Sequence, residues 1–567
     1  MKYFIIILLT FCSMVVFGQA PVYSPPVKIP ILLSGSFAEL RSNHFHSGID
    51  IKTRGVTGTP VYAINDGYIS RIVVSPTGFG RALYIRHPNG TTSVYGHLES
   101  FREDIARHVK NIQYAKESFR TDFPVEKNLF PVKKDDFIAK SGNSGSSGGP
   151  HLHFEIRDTE TEEPLNPLQF DFPVKDNIAP RIFSLLIVPL NEFGHVDFQA
   201  AKKSFPVSYS EGKYFLQNNP IIPVYGKIGV AIRANDYFDG SNNKCGVYSM
   251  RMFFDGELYY SFRMDRFSFN ETRYLNSHID YEEYILSRHR YQKAWLDPGN
   301  RLKIYDYVRN EGTLRITDGN IHHVRFELTD LYGNTSTLDF NVESKSQKVK
   351  REKTKFSRLM KYDRENHFSK DGIRIDFGEG TFYDDVEFIW EKIPSAGAFL
   401  SDIHVVHKNT VPLHHSAQLS IKAEVPKKIL REKALLVRVD TVSGKLSAVG
   451  GTFSNGWVTA HIQELGNYAV TLDTIPPQIV PFSIRDKSAI TETSRIRFRI
   501  SDDLSGIKSY EGTLNGKWAL FEYDAKSEII THYFDAERFE LGKRHHLILT
   551  VTDNNNNINI YEASFWK

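Results

Sequence analysis

Cysteine is almost absent: the chain has two in 567 residues, Cys12 and Cys245. Cys12 lies in the apolar run 5–17, which follows Lys2 and ends at Gly18-Gln19-Ala20. That is the layout of a secretory signal peptide over residues 1–20, with an uncleaved N-terminal anchor as the alternative. Phe11 stands where a lipoprotein signal wants a small residue, so a lipid-anchored Cys12 is rejected. Once the signal is removed Cys245 is alone, and no intramolecular disulfide can form. An exported chain without disulfides needs domains that stand on their own cores. An excess of one charge is also missing: 70 Lys+Arg against 67 Asp+Glu leaves +3. So weak a field argues against nucleic acid as a partner. Beyond the signal no apolar run approaches membrane-spanning length, so no transmembrane segment is expected.

What is present points to β-structure. Forty phenylalanines and 28 tyrosines favour strands. The length implies three or four domains. Residues 21–30 are proline-rich and read as an extended tether. Residues 31–174 form a first domain of short strands, with Pro88-Asn89-Gly90 marking a hairpin. Phe101, Ile105, Val109, Ile112 and Phe119 recur at helical spacing, which predicts one amphipathic helix inserted in that domain at about 101–131. Its plain role is to pack on the sheet; its sharper one is to wall or gate a groove.

An internal repeat follows. Asp176-Asn-Ile-Ala-Pro180 resembles Asp473-Thr-Ile-Pro-Pro477, and Ala234-Asn-Asp236 resembles Ser501-Asp-Asp503. His322 to Asp330 likewise resembles His545 to Asp553. Residues 175–343 and 473–567 are therefore expected to be immunoglobulin-like β-sandwiches, the first with long insertions. Residues 344–361 read as a basic, solvated linker. Residues 362–472 read as a further β-rich module.

Three short motifs carry the chemistry, all in the first domain. In His151-Leu-His153-Phe-Glu155-Ile the histidines and Glu155 share one face of a strand, and Leu152, Phe154 and Ile156 face the core. Alone this is weak, because a chain with 21 histidines yields a His-x-His pair by chance. His46-Ser-Gly-Ile-Asp50 puts an imidazole and a carboxylate four residues apart on a loop running into a strand, with Gly48 allowing a sharp bend. Tyr95-Gly-His97-Leu98 ends a strand on which Ser93, Tyr95 and His97 share a face. A catalytic zinc commonly keeps three protein ligands and one open position, and His46, Asp50 and His153 offer such a set. His44 makes a rival His44-x-His46 pair, but only His46 has the four-residue spacing to Asp50. His87, at the hairpin, reads as structural.

These motifs, in this order and with Gly142-Asn-Ser-Gly145 before the third, resemble those of the lysostaphin/LytM-type zinc metallopeptidases, peptidase family M23. The resemblance covers about residues 31–170. It implies an antiparallel β-sheet metallopeptidase domain with its metal in a surface groove, binding one Zn2+ per chain. It also implies hydrolysis of peptide bonds in bacterial peptidoglycan. Carried over, His46, Asp50 and His153 match the zinc ligands, and His97 and His151 the unligated catalytic pair. Glu155 is a candidate to orient a ligand from behind, with a plain structural role as the alternative. The helical insertion departs from the shorter connection usual in the family. The expected setting is the periplasm, the cell envelope or the exterior, with peptidoglycan peptides as partner. The β-modules offer surface to a cell-envelope protein. Two other functions are carried beside the enzyme: a non-catalytic regulator of other cell-wall hydrolases, which the five filled positions disfavour, and a β-module scaffold or adhesion protein.

Overall fold

The computed structural model describes residues 23–351, 355–395, 397–490, 495–535, 538, 540 and 542–567. The expected signal peptide, residues 1–20, lies outside them. The fold is mostly β: strands take up 47% of the chain and helices 7%. Among the described residues no helix is long and apolar enough to cross a membrane.

The first domain comprises β1 (Leu33–Gly35), β2 (Ile49–Lys52), β3 (Pro60–Tyr62), β4 (Gly67–Val74), β5 (Arg81–Arg86), β6 (Thr91–Gly96) and β7 (Leu98–Phe101). Helix α1 (Glu103–Ala115) follows, then β8 (Thr121–Pro124), β9 (Pro131–Val132), β10 (Phe137–Ser141), β11 (His151–Asp158) and β12 (Pro164–Leu165). The main sheet runs β1-β2-β11-β6-β5-β4-β8, and a small sheet runs β3-β10-β7. β5 and β6 form the expected hairpin around Gly90. On β11 the alternation holds: Leu152, Phe154 and Ile156 are fully buried beside Ile49, Ile51 and Tyr95. Phe154 and Tyr95 lie directly opposite each other across β11 and β6, with ring centroids 5.5 Å apart. Each such side chain contributes about 2 kcal/mol from burial alone.

Two expectations change here. The stretch read as a tether is part of this core: Tyr23 and Val27 are buried, and Tyr23 packs against Phe170 and Phe172. Prolines keep such a segment extended but leave its apolar side chains free to dock. The helix is also shorter than its apolar spacing suggests. Phe101 ends β7, Phe119 lies beyond the helix, and Glu117 adopts a left-handed conformation (φ 48°) just past its end. Ile105 and Val109 bury its apolar side.

The second region, Arg181 to Ser344, builds a large mixed array around the bent strand Ile221–Asn235. The third has two five-stranded sheets around one core that includes Phe377, Phe388, Leu419 and Leu436. The last has a four- and a five-stranded sheet closing on Phe498, Phe521, Leu549 and Phe565. The repeat reappears as topology. Arg181–Pro189 pairs Ile221–Asn235 as Gln478–Pro481 pairs Arg495–Ser501. Ser249–Phe254, Ile321–Thr329 and Thr335–Ser344 lie side by side as Ile507–Leu514, Arg544–Asp553 and Ile558–Trp566 do. The basic linker is less solvated than its composition suggests: Arg351 donates to the carbonyls of Asn191 and Gly194, and Arg358–Met360 pairs Val386–Phe388.

The modules are not beads on a string. Phe37, Ala38 and Phe45, from the loop before His46, are buried in the core of the second region. Phe238 and Cys245, from the second region, are buried in the core of the first. The last module folds back on the first: Arg81 donates to Glu522 at 2.6 Å, Lys110 pairs Asp535, and Tyr114 meets Trp518 edge-on at 5.2 Å.

Candidate metal and catalytic site

Strand register brings the three motifs together. β2 and β11 pair antiparallel with Asp50 opposite His153, and β11 pairs β6 with His153 opposite Gly96. Directly opposed residues point to the same face, so Asp50 and His153 meet. His46 reaches them from the loop ahead of β2. Gly48 serves this loop otherwise than expected. A Cβ there would lie 2.3 Å from the Phe154 carbonyl oxygen, so glycine is needed for close approach to β11.

His46 Nε2, Asp50 Oδ1 and His153 Nδ1 form a triangle with sides of 3.0, 3.0 and 3.1 Å. Donors about 2.0–2.1 Å from a tetrahedral zinc are roughly 3.3 Å apart, so two imidazoles and one carboxylate at this spacing fit the ion. Each side chain is held from behind. His46 Nδ1 donates to the Ser36 carbonyl at 2.7 Å, which leaves Nε2 as the free lone pair. His153 Nε2 faces Glu155 Oε1 at 2.8 Å. Arg41 donates to the other oxygen of Asp50 at 2.8 Å. Glu155, fully buried, also accepts from Ser47 and from Arg157 Nε. Glu155 thus contacts His153, Ser47 and Arg157 from the buried side of the site.

The second pair of histidines flanks the triangle. His151 Nε2 lies 3.3 Å from Asp50 Oδ1, and the His97 and His151 rings are 4.8 Å apart. His97 Nδ1 lies 2.8 Å from the Ser144 carbonyl, and His151 Nδ1 lies 2.8 Å from the Gly149 carbonyl. A carbonyl can only accept, so Nδ1 carries the proton in both rings, and Nε2 of His151 is the atom turned to Asp50. His97 does not arrive by strand alternation, as expected. Ser93 and Tyr95 face the interior, where Ser93 Oγ donates to Tyr95 Oη, and His97 lies past the strand end at φ 58°. That left-handed residue breaks the period of two and turns the ring toward His151. His44 is exposed with its ring on the Ser42 carbonyl, and His87 is buried between Asp66 and Ser93, so neither joins the site.

Burial pushes His97 down to about 3, aided by its neighbours His153 and His151, so it is neutral near pH 7. Burial also opposes charge on His153, but Asp50 and Glu155 on its two sides raise it to about 9. The Asp50 carboxylate is buried, yet His46, His151 and His153 hold it well below the usual range. Arg157 and His153 likewise hold Glu155 down at about 2 against its burial.

Several supporting residues were not legible in the motifs. The Phe79 ring stacks on His153 at 4.7 Å. Arg41, Ser36 and Arg157 act through contacts that only the folded chain makes. The glycine-rich lead-in has a defined task. Gly145, at φ 70°, would place a Cβ 2.3 Å from Gly80 N, so two loops meet backbone to backbone. The contact holds Ser144 beneath His97. The second region reinforces the other side: Gly246 N donates to Ser36 Oγ, Thr272 Oγ1 accepts from Phe45 N, and Phe269 lies under the Arg157 guanidinium.

The sequence model of peptidase family M23 matches residues 44–116, and that of a Zu5-like domain matches residues 357–473. A DD-carboxypeptidase/endopeptidase of Neisseria meningitidis is 31% identical over 137 residues, 24% of this chain and 25% of its own. A peptidoglycan DD-endopeptidase of Vibrio cholerae is 26% identical over 151 residues, 27% of this chain and 29% of its own. Among solved structures, a zinc-containing peptidase from Vibrio cholerae is 27% identical, covering 26% of this chain and 39% of that one with a TM-score of 0.20. The chain thus spans about a quarter of the length of these curated relatives. The first domain thus carries a match to peptidase family M23, and the structure brings all three of its motifs together in one site.

Proposed function

We propose that this protein is an exported, zinc-dependent endopeptidase that hydrolyses peptide cross-links of bacterial peptidoglycan during cell-wall remodelling, in the periplasm or at the cell envelope. The observation that carries it is the donor triangle of His46, Asp50 and His153, with His151 Nε2 3.3 Å from Asp50 and the His97 ring 4.8 Å from that of His151. The named activities of the Neisseria and Vibrio relatives support the substrate class. A D,D-bond in a directly cross-linked peptide is the bond assigned, because no module for binding glycine bridges is evident in the sequence.

His46, Asp50 and His153 would hold the zinc, which supplies Lewis acidity that lowers the pKa of water and polarises a carbonyl. The chain's own groups supply the proton traffic. His97, kept neutral by burial, can take a proton from water at Nε2. The His97–His151 pair can donate to the developing oxyanion and return a proton to the leaving amine. Glu155 and Arg41 keep His153 and Asp50 in place throughout.

The test is incubation of purified protein with peptidoglycan, with and without chelator, followed by mass spectrometry of released fragments. Chelator-sensitive release of peptides cut at the cross-link is expected, with none from His153→Ala. A zinc-loaded wild type that releases nothing overturns the enzymatic reading in favour of a regulator. Cleavage of synthetic oligoglycine alone overturns the D,D-assignment.

A further inference from the structure

The internal repeat carries something beyond its strands. In the first copy Asp176, Asp236 and Asp330 each bring a carboxylate oxygen to within 4.8 Å of the others. In the second copy Asp473, Asp502 and Asp553 do the same. The last carboxylate of each cluster is held in the same way. Asp330 Oδ1 accepts from the backbone of Tyr332 and Asn334, and Oδ2 from Asn334 Nδ2, which also donates to the Asp176 carbonyl at 3.1 Å. Asp553 Oδ1 accepts from the backbone of Asn555 and Asn557, and Oδ2 from Asn557 Nδ2, which also donates to the Asp473 carbonyl at 3.1 Å. Asp236 and Asp502 each follow the last residue of the corresponding strand. The structure therefore aligns Asp236 with Asp502, one residue away from the Asp503 that sequence similarity suggests.

These carboxylates lack what buried carboxylates need. Asp176, Asp236 and Asp473 are only 8%, 2% and 4% exposed, yet Asp176 Oδ2, Asp236 Oδ1 and Asp473 Oδ2 have no hydrogen-bond partner. The charges of Asp176 and Asp330 both act against ionisation of Asp236. A buried charge without a partner is costly enough that it is normally paired or bound to a metal. The donor set is all oxygen, which suits a hard cation. Calcium takes oxygens at about 2.3–2.6 Å, so ligands on one ion stand no more than roughly 5 Å apart, as these do.

We propose that each copy of the repeat binds one calcium-class divalent cation, through Asp176, Asp236 and Asp330 in the first and Asp473, Asp502 and Asp553 in the second. Both sites lie at module junctions. Asp176 is where the chain leaves the peptidase domain. Asp236 forms an isolated bridge with Cys245, whose neighbour Gly246 donates to the Ser36 that holds His46. Asp473 ends the Zu5-like region, and Asn555 beside it donates to the carbonyls of Lys433 and Asp473. Bound cations would lock the modules to one another and the first motif to its support.

The test is calorimetric titration of the zinc-loaded full chain with Ca2+, after dialysis against a calcium-selective chelator. Two Ca2+ per chain are expected, with a rise in the melting temperature. Asp236→Asn and Asp473→Asn, which alter the side chains with unpartnered oxygens, are each expected to lose one equivalent and keep the other. No heat and no melting shift in the wild type overturns the proposal without recourse to any variant. Two equivalents that survive both substitutions overturn the assigned residues. A single equivalent, lost in only one variant, overturns the site in the other copy.

Discussion

His153 is held between Asp50 and Glu155, and Glu155 between His153 and Arg157, so charge alternates along this buried row. Glu155→Gln removes the charged acceptor beside the His153 ring and leaves Arg157 with only the half-exposed Glu162, at 3.4 Å, as a charge partner. It is expected to weaken zinc binding about 10- to 100-fold, read by competition with a chelating dye. The same change should cost about 3–5 kcal/mol of stability, as breaking a buried pair does. The flanking histidines should behave differently. His97→Ala and His151→Ala are expected to retain zinc yet lose about 10²- to 10⁴-fold in turnover. Metal content measured beside peptidoglycan cleavage separates these variants from His153→Ala, which should lose both.

At the scale of elements, the site depends on backbones that touch. Gly145→Ala forces a Cβ into Gly80 and asks a left-handed position to accept alanine. Displacement of the Ser144 carbonyl should follow, lowering turnover while zinc content stays near one per chain. A second consequence concerns acid. His278 is wholly buried in the second region and pushed down to about 4 by burial. His414, stacked on Tyr274 at 4.1 Å where the second and third regions meet, is pushed down to about 4 as well, by burial, His415 and Arg273. The unfolded chain binds these protons near pH 6.5 and the folded chain only near 4. The folded state therefore loses stability as pH falls from about 6.5 to about 4. His278 alone accounts for up to about 3 kcal/mol of this. Thermal melts between pH 7 and 4.5 should show the decline, and His278→Gln should flatten it.

Two other regions pack against the first domain. The second region grips the loop before His46, and the last module faces α1 and the loop that carries Ser144. Between them lies a cavity lined by Arg81, Lys110, Tyr114 and Ser144 from the first domain and by Glu522 and Tyr523 from the last. The helical insertion therefore does more than pack on the sheet: it forms one side of a cleft that the last module completes. Glu522→Ala breaks the contact with Arg81. It is expected to raise KM for polymeric peptidoglycan at least about twofold, since binding surface is lost remote from the reacting bond. Zinc content and kcat on a short cross-linked peptide should be unchanged.

The meeting of Asp50 with His153 was legible in the chain, because two motifs lie on or beside adjacent strands whose hydrophobic alternation sets their register. Once Leu152, Phe154 and Ile156 are committed to the core, His151, His153 and Glu155 must share the opposite face. His97 was legible only as a motif residue, since a left-handed backbone overrides the alternation that appeared to place it. The buttresses were not legible at all. Arg41, Phe79, Ser144 and Phe269 act through contacts between segments with no local pattern, and contacts of that kind arise only when distant surfaces close on one another. The repeat was visible as three scattered likenesses, but three carboxylates from three segments become a charge cluster only where a sandwich brings its strand ends together. The sequence by itself determined which side chains share the site's face of the sheet, because residue type and strand periodicity are local. The tertiary structure decided the site's support, because this depends on how separate cores pack.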